Sequence, residues 1–162
     1  VKVNYSMYTG TQFAGNGPDN LLDTQGYADL QWLVYDNDGT VETHPIYGPS
    51  SNPGPTLPAW AANTNWYDAI TNNASIQNHD LSLSGGNKNA KFYAGLNYFD
   101  QNGIVNTTFA KRFAARLNSE FNIKDRVKIG ENLTITHRSG LSVGNLDEGS
   151  PINAAVYRMQ PI

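Results

Sequence analysis

The side chains that most often carry out catalysis are scattered along this sequence. Its three histidines, His44, His79 and His137, lie far apart and have no spacing typical of metal ligands. We assign no serine to a nucleophile elbow of the G-x-S-x-G type, and Gly85-Gly86 is not part of a phosphate-binding loop. The absence of cysteine excludes disulfides and cysteine-based metal or redox sites. We therefore predict a protein that is not an enzyme and that holds no cofactor and no metal ion.

One acidic segment has a partial likeness to a calcium-binding loop. Asp36-Asn37-Asp38-Gly39 is followed by Glu42, but the twelfth ligand position of such a loop would fall on Pro45. We interpret the segment as a turn. The stretch from Thr11 to Ser75 has seven acids and no lysine or arginine, whereas Ile76 to Ser139 has nine bases and five acids. The acidic half argues against nucleic acid as a partner, because nucleic acid binding needs a basic patch.

Two other sets of residues have chemistry suited to binding. Four basic residues occupy the polar positions of alternating segments: Lys91, Arg112, Arg116 and Lys128. Three tryptophans, Trp32, Trp60 and Trp66, all lie within the acidic stretch. A tryptophan ring can stack on a sugar ring, or it can pack a short helix against a neighbour. The choice between these roles depends on the elements that position the side chains.

Alternation of apolar and polar residues from Gln77 to Arg138 predicts four successive strands. Val1 to Gly10 alternates in the same way and predicts a first strand. We place the five strands at about 1–10, 77–86, 91–101, 109–122 and 126–139. Tilted strands of about 9–11 residues are long enough to cross a bilayer. The pattern fits an outer-membrane β-barrel, and it also fits a soluble sandwich with one wet face.

A long excursion, which we bound at residues 11–76, separates the first strand from the second. One helix face is predicted by Leu22, Gly26, Leu30, Leu33 and Val34. A second, short helix is predicted by Trp66, Ala69 and Ile70, with its cap near Thr64 or Asn65. The proline-rich segment His44–Pro58 fits neither a regular helix nor a central strand. Long loops of barrels are extracellular, so in a barrel this excursion lies outside the cell, and residues 140–162 begin another external loop.

The amino-acid sequence of the strands resembles that of the SusC/RagA family of TonB-linked outer-membrane transporters. The most specific part is the run from Gln77 to Val105, which includes Leu81-Ser82-Leu83-Ser84-Gly85-Gly86 and Phe92-Tyr93-Ala94-Gly95-Leu96-Asn97-Tyr98. Shorter segments that also resemble the family are Leu21–Leu30, Asn63–Trp66, Lys111–Asn118 and Val127–Leu133. The resemblance covers most of the chain.

The resemblance implies that residues 1–162 are one partial barrel domain of a transporter that has about 22 strands and a plug. It implies import of glycans or peptides across the outer membrane of a Gram-negative bacterium. A SusD-like surface lipoprotein would act as a lid over the barrel. TonB would act through a plug and a TonB-contacting segment that lie outside this chain.

In such a barrel the polar positions, among them Lys91, Arg112, Arg116 and Lys128, face the lumen and contact the plug or the solute. Trp32, Trp60 and Trp66 become candidates for external contacts with the lid or the solute. Seven apolar residues are expected to face lipid: Leu81, Leu83, Phe92, Leu96, Leu117, Ile129 and Leu133. Glu131 falls among them, so either it lies near an interface or a bulge turns it inward. The alternative to the transporter is a soluble all-β carbohydrate-binding or adhesion module.

Overall fold

A computed structural model describes residues 1–18, 21–39, 43–44, 48–49, 56–57, 61–124, 126–144 and 156–161. In chain order its elements are β1 (Lys2–Gln12), α1 (Thr24–Asp38), β2 (Thr43–His44), β3 (Gly48–Pro49), α2 (Trp66–Ile70), β4 (Ala74–Gly86), β5 (Ala90–Asn102), β6 (Phe109–Ile123) and β7 (Val127–Leu141). The chain divides into two compact units. The sheet unit is Val1–Ala14 with Asn72–Val143, and the helical unit is Gly15–Thr71 with Gly144–Ile162.

Five long antiparallel strands form the sheet unit in the order β1-β4-β5-β6-β7. The predicted fold class, an open fragment of an antiparallel barrel with about five strands, is confirmed. The observed strands extend beyond several predicted ends. For example, β4 begins at Ala74 and β7 ends at Leu141. Within the described chain the sheet does not close on itself, so β1 and β7 are its edges.

The register of the sheet sorts its side chains into an apolar face and a polar face. Residues directly opposite one another across the strands form a rung, and alternate rungs belong to opposite faces. Two apolar rungs are Tyr5–Leu81–Leu96–Ala115–Ile135 and Val3–Leu83–Ala94–Leu117–Leu133. Their large members are exposed, with Leu83 at 37% and Leu96 at 47%. This disagrees with a soluble sandwich, whose apolar face is buried against a second sheet.

Glu131 lies on the apolar face. The pairs Glu120↔Gly130, Ser119↔Glu131 and Asn118↔Asn132 follow one another without interruption. A bulge would place two residues of one strand opposite one of its partner and would break this sequence. The predicted alternative of an inward turn at a bulge is therefore wrong.

Helix α1 begins and ends at capping residues. The Asp23 carboxylate accepts a hydrogen bond of 2.7 Å from the Gly26 amide, and Gly39 ends the helix in the left-handed region at φ 68°. The predicted turn at Asp36–Gly39 is therefore mostly the last turn of this helix. A second N-cap, Asn65, starts α2 and accepts from the amides of Tyr67 and Asp68.

The buried face of α1 differs from the predicted one. Thr24, Ala28 and Trp32, spaced by four residues, are buried, and Tyr27 and Leu57 pack against them. The predicted face is exposed instead, with Leu30 at 44% and Val34 at 50%. The predicted face was the one with the most aliphatic residues, but the helix packs through the large ring of Trp32 and the small side chain of Ala28.

Residues 156–161 pack within the helical unit through backbone oxygens. The Thr64 amide donates to the Pro161 carbonyl at 2.7 Å, and the Trp66 indole donates to the Gln160 carbonyl at 2.8 Å. The Thr24 hydroxyl donates to the Ala62 carbonyl at 2.6 Å and lies 2.9 Å from the Pro161 oxygen. No helix within the described residues is long and apolar enough to span a membrane.

Candidate functional site

The apolar face changes character sharply at one end. The rung Met7–His79–Tyr98–Phe113–His137 consists of one methionine and four residues with aromatic rings, and the next rung is Thr9–Gln77–Asp100–Lys111–Ser139. Tyr5 Oη and His79 Nδ1 share a hydrogen bond of 2.8 Å. Tyr98 Oη donates to Asp100, which forms an ion pair of 3.4 Å with Lys111. An apolar band that ends in amphipathic rings and then charges is the pattern of a lipid-facing surface at its interface with water.

All four predicted basic residues lie on the polar face. Lys91 lies opposite Glu120 in the register, and Lys128 Nζ is 2.9 Å from Glu120 Oε2. Arg116 Nε donates to Asn118 Oδ1 at 3.3 Å. The sheet therefore presents these side chains to one space, although they are spread over three strands.

Arg112 belongs to a hydrogen-bonded polar network. Its Nη2 donates to Asn97 Oδ1 at 3.1 Å, and its guanidinium lies 5.6 Å from the centre of the Phe99 ring. Asn97 Nδ2 in turn lies 2.8 Å from both Asn78 Oδ1 and Asp80 Oδ1. Asn78, only 9% exposed, also donates to Asp80. The network forms one wall of a concavity, which is also lined by Tyr8, Thr136 and Arg138.

Sequence reasoning missed Asn78, Asp80, Asn97 and Arg138 as members of this site. Each lies at a polar position of an alternating strand, which was the available signal. Their convergence depends on the register, since the concavity is built from β1, β4, β5, β6 and β7 together.

The three predicted tryptophan contacts have different outcomes. Trp32 is only 1% exposed in the core of the helical unit, so its ring packs the helix and is not available to a lid or a solute. That prediction is corrected, because the ring is needed for the unit's own core. Trp66 is half-buried and lines a groove with Leu22, Tyr27 and Met159. Trp60 lies outside the described residues.

The remaining catalytic signals do not form a centre. No group of three or more histidines and acids that would hold a metal ion occurs in the part of the chain that the structure describes. Gly140-Leu141-Ser142-Val143-Gly144 does match the letters G-x-S-x-G, which the sequence reasoning overlooked. Ser142 directly follows strand β7, and among the described residues it has no hydrogen bond to a histidine. The described residues therefore give Ser142 no base of the kind that a nucleophilic serine needs.

Comparisons with known proteins agree with this architecture. No protein-family model matches the chain. It is 28% identical over 129 residues to the TonB-dependent receptor P26 of Formosa agariphila, covering 80% of this chain and 12% of that protein. It is 37% identical over 106 residues to the TonB-dependent receptor P3 of the same species, covering 62% and 10%. It is 38% identical over 90 residues to the TonB-dependent receptor SusC of Bacteroides thetaiotaomicron, covering 49% and 9%.

Solved structures share the fold. The RagAB peptide transporter superposes with a TM-score of 0.60 at 22% identity, covering 84% of this chain and 17% of that chain. The RagAB peptide importer in its closed-closed state gives 0.61 at 24%, covering 91% and 19%. The chain spans about a tenth of the length of the curated relatives that it matches. In sequence the chain is similar to TonB-dependent receptors that include SusC, and in fold it is similar to RagAB. These likenesses together support a fragment of a SusC/RagA-type TonB-dependent receptor whose strands form part of a β-barrel.

Proposed function

We propose that this chain forms part of an outer-membrane transporter that imports glycans or peptides with energy from TonB. The observation that carries the proposal is the division of the sheet into two faces. One face is an exposed apolar band that ends at amphipathic rings, and the other is a polar face with converging side chains. A single sheet with these faces suits the wall between lipid and a water-filled lumen.

Chain connectivity sets the orientation of this wall. Residues 87–89 and 124–126 are short connections at one end of the sheet, whereas the excursion from Phe13 to Asn73 leaves the opposite end. Periplasmic turns of barrels are short and extracellular loops are long. The end with Tyr98 and His79 is then the extracellular end, and the helical unit belongs to an extracellular loop.

The polar face supplies the contacts inside the barrel. Lys91, Arg112, Arg116 and Lys128 point toward the plug or the passing solute. TonB acts through the plug and its contacting segment, which other parts of the receptor supply.

The helical unit supplies contacts outside the barrel, to a SusD-like lipoprotein lid or to the solute. The exposed stripe of α1, which contains Leu30, Leu33 and Val34, is apolar and is separate from the buried Trp32 face. Trp66 is the remaining described tryptophan with exposed ring area. Exposed apolar stripes of this kind are typical of protein-binding surfaces.

Labelling of neighbouring residues in intact cells tests the division between lipid and lumen. In the full-length receptor, otherwise without reactive cysteine, Leu96→Cys and Asn97→Cys place a thiol on opposite faces of the same strand. A hydrophilic maleimide is expected to label the Asn97 variant and to spare the Leu96 variant until the membrane is dissolved. Equal labelling of both thiols would favour a soluble module and contradict the transporter. Import itself is tested by measuring the uptake of glycans and peptides in a strain without the receptor gene. Uptake is expected to be lost in that strain and to be restored by the wild-type gene.

A further inference from the structure

Two arginines lie directly opposite each other on the polar face. Arg112 of β6 pairs in register with Arg138 of β7, and both line the concavity with Tyr8 and Phe99. Like charges at directly opposite positions of a sheet are destabilising unless something compensates them. Within the described residues, the two ion pairs are Lys111–Asp100 and Lys128–Glu120, and neither involves these arginines.

Among the described residues, the nearby acids form no ion pair with either arginine. Asp80 lines the same concavity, but its carboxylate accepts hydrogen bonds from the amides of Asn78 and Asn97. Glu120, the other acid on the polar face, is paired with Lys128. The bases of this face are Lys2, Lys91, Arg112, Arg116, Lys128 and Arg138. Six bases against two acids give this face a positive potential, which raises the local concentration of anions in a water-filled space.

One member of the pair, Arg112, is held in place by two neighbouring side chains. Stacking on Phe99 and the bond to Asn97 fix the guanidinium of Arg112, yet this bond uses one of its five N–H groups. Guanidinium groups match carboxylates through two parallel hydrogen bonds, and a group fixed in advance loses less entropy on binding. Tyr8 and Phe99 add flat apolar surface beside the charges.

The position of the arginine pair along the strands favours a solute, and not a buried structural group, as its partner. The two arginines belong to one rung on the polar face, Tyr8–Asn78–Phe99–Arg112–Arg138. Along the strands this rung lies between the two apolar-face rungs that contain Tyr98 and Asp100. Those rungs mark the boundary between the apolar band and the charged residues. In the proposed orientation this boundary is extracellular, so the arginines lie where a solute first enters the lumen.

We propose that Arg112 and Arg138 form a binding site for a carboxylate group of an anionic solute, with Tyr8 and Phe99 contacting the adjoining part of that solute. The inference rests on the proposed function, because it takes the polar face as the lining of the solute path. The shared chemistry is a carboxylate, which an acidic peptide and a uronic-acid oligosaccharide both supply.

Calorimetric titration of the purified full-length receptor tests the site. The probes are hexaglutamate and trigalacturonate, each compared with its neutral counterpart, hexaglutamine or the carboxyl-reduced trisaccharide. The test variant is Arg112→Gln/Arg138→Gln. The matched control, Lys124→Gln/Arg126→Gln, removes the same charge from the turn between β6 and β7. We expect the test variant to bind the acidic probe at least roughly 10- to 100-fold more weakly, because the loss of a single charge-assisted hydrogen bond already lowers affinity by about that factor. The control should bind like the wild type.

The possible results identify the source of the carboxylate and decide whether the proposed site exists. Binding of only one acidic probe identifies peptide or oligosaccharide as the source of the carboxylate. Equal binding of acidic and neutral probes, no binding of either acidic probe to the wild type, or an unchanged test variant would overturn the inference. A test variant that loses thermal stability without any change in probe binding would assign the arginines to a carboxylate of the receptor itself, which also overturns it. None of these results alters the uptake and labelling tests, so the failure of the proposed function would be recognised separately.

Discussion

The sheet unit and the helical unit are held together by different means. Among the described residues the buried apolar side chains are Ala28, Trp32, Ala74 and Val156, and only Ala74 belongs to the sheet unit. The sheet unit instead exposes large side chains such as Leu96, Leu133 and Ile135. The described residues of the helical unit thus form a small core, whereas those of the sheet unit form none. The difference indicates that the apolar face of the sheet is made for an external apolar medium.

Backbone hydrogen bonding between strands, and not internal packing, holds the sheet unit together. β6 and β7 pair without a break from Phe109↔Leu141 to Ile123↔Val127, so the backbone groups that these two strands turn toward each other are satisfied along the whole length. The outer edges of β1 and β7 remain open in the chain by itself. A ladder with an uncovered apolar face and open edges needs both a membrane and further strands.

The largest effect expected is on the isolated 162-residue chain. Its sheet unit should not persist as a monomer in water, because the apolar face and the open edges drive association. Analytical ultracentrifugation without detergent is expected to show large or polydisperse species. A monodisperse monomer that unfolds cooperatively would contradict the contrast between the two units.

Truncation of the core tryptophan should disrupt the helical unit alone. Trp32→Ala removes its largest buried side chain, and such substitutions cost about 3–5 kcal/mol. In the full-length receptor, hydrogen exchange should accelerate in residues 24–38 while the strands remain protected. Val34→Ala, on the exposed side of the same helix, is the control and should leave exchange nearly unchanged. Equal deprotection of strands and helix would show that the units depend on one another.

A charge placed on the apolar face should destabilise the barrel more than the same charge on the polar face. Leu96→Arg puts a cation between Leu81 and Ala115, at a cost of about 2–4 kcal/mol near the bilayer midplane and less toward the interfaces. Asn132→Arg is the control, because its position on the polar face is open to water and lies opposite the uncharged Asn118. Denaturant unfolding of the full-length receptor in lipid measures both. Similar losses for the two variants would mean that the faces do not differ in environment.

The sequence predicted the strands well because their signal is local. Alternation assigned Leu81, Leu96 and Leu133 to one face, and a face depends only on the parity of positions along a strand. The helix face was wrong for the opposite reason. Whether Trp32 or Val34 is buried depends on what packs against the helix, including Leu57, which lies far along the chain.

The candidate site was predicted only in part. Lys91, Arg112, Arg116 and Lys128 were expected on the polar face and lie there. The network from Asn78 through Asn97 to Arg112, and the position of Arg138 opposite Arg112, follow from the register between strands. Alternation alone does not determine that register, so no pattern within a single strand could have revealed the arginine pair.

The smallest effect we predict concerns the start of helix α1 and tests whether the helical unit depends on local caps as well as its core. Asp23→Ala removes the acceptor of the Gly26 amide, and loss of such a cap costs typically about 1 kcal/mol. Asp29→Ala removes the same charge from within the helix, where its carboxylate accepts a hydrogen bond from the Gln25 side chain, and should cost a few tenths of that. Hydrogen exchange of residues 24–28 in the full-length receptor should therefore rise several-fold in the Asp23 variant and little in the Asp29 variant. If the two variants exchange alike, the packing of Trp32 alone fixes the helix, and the cap contributes nothing measurable to the unit.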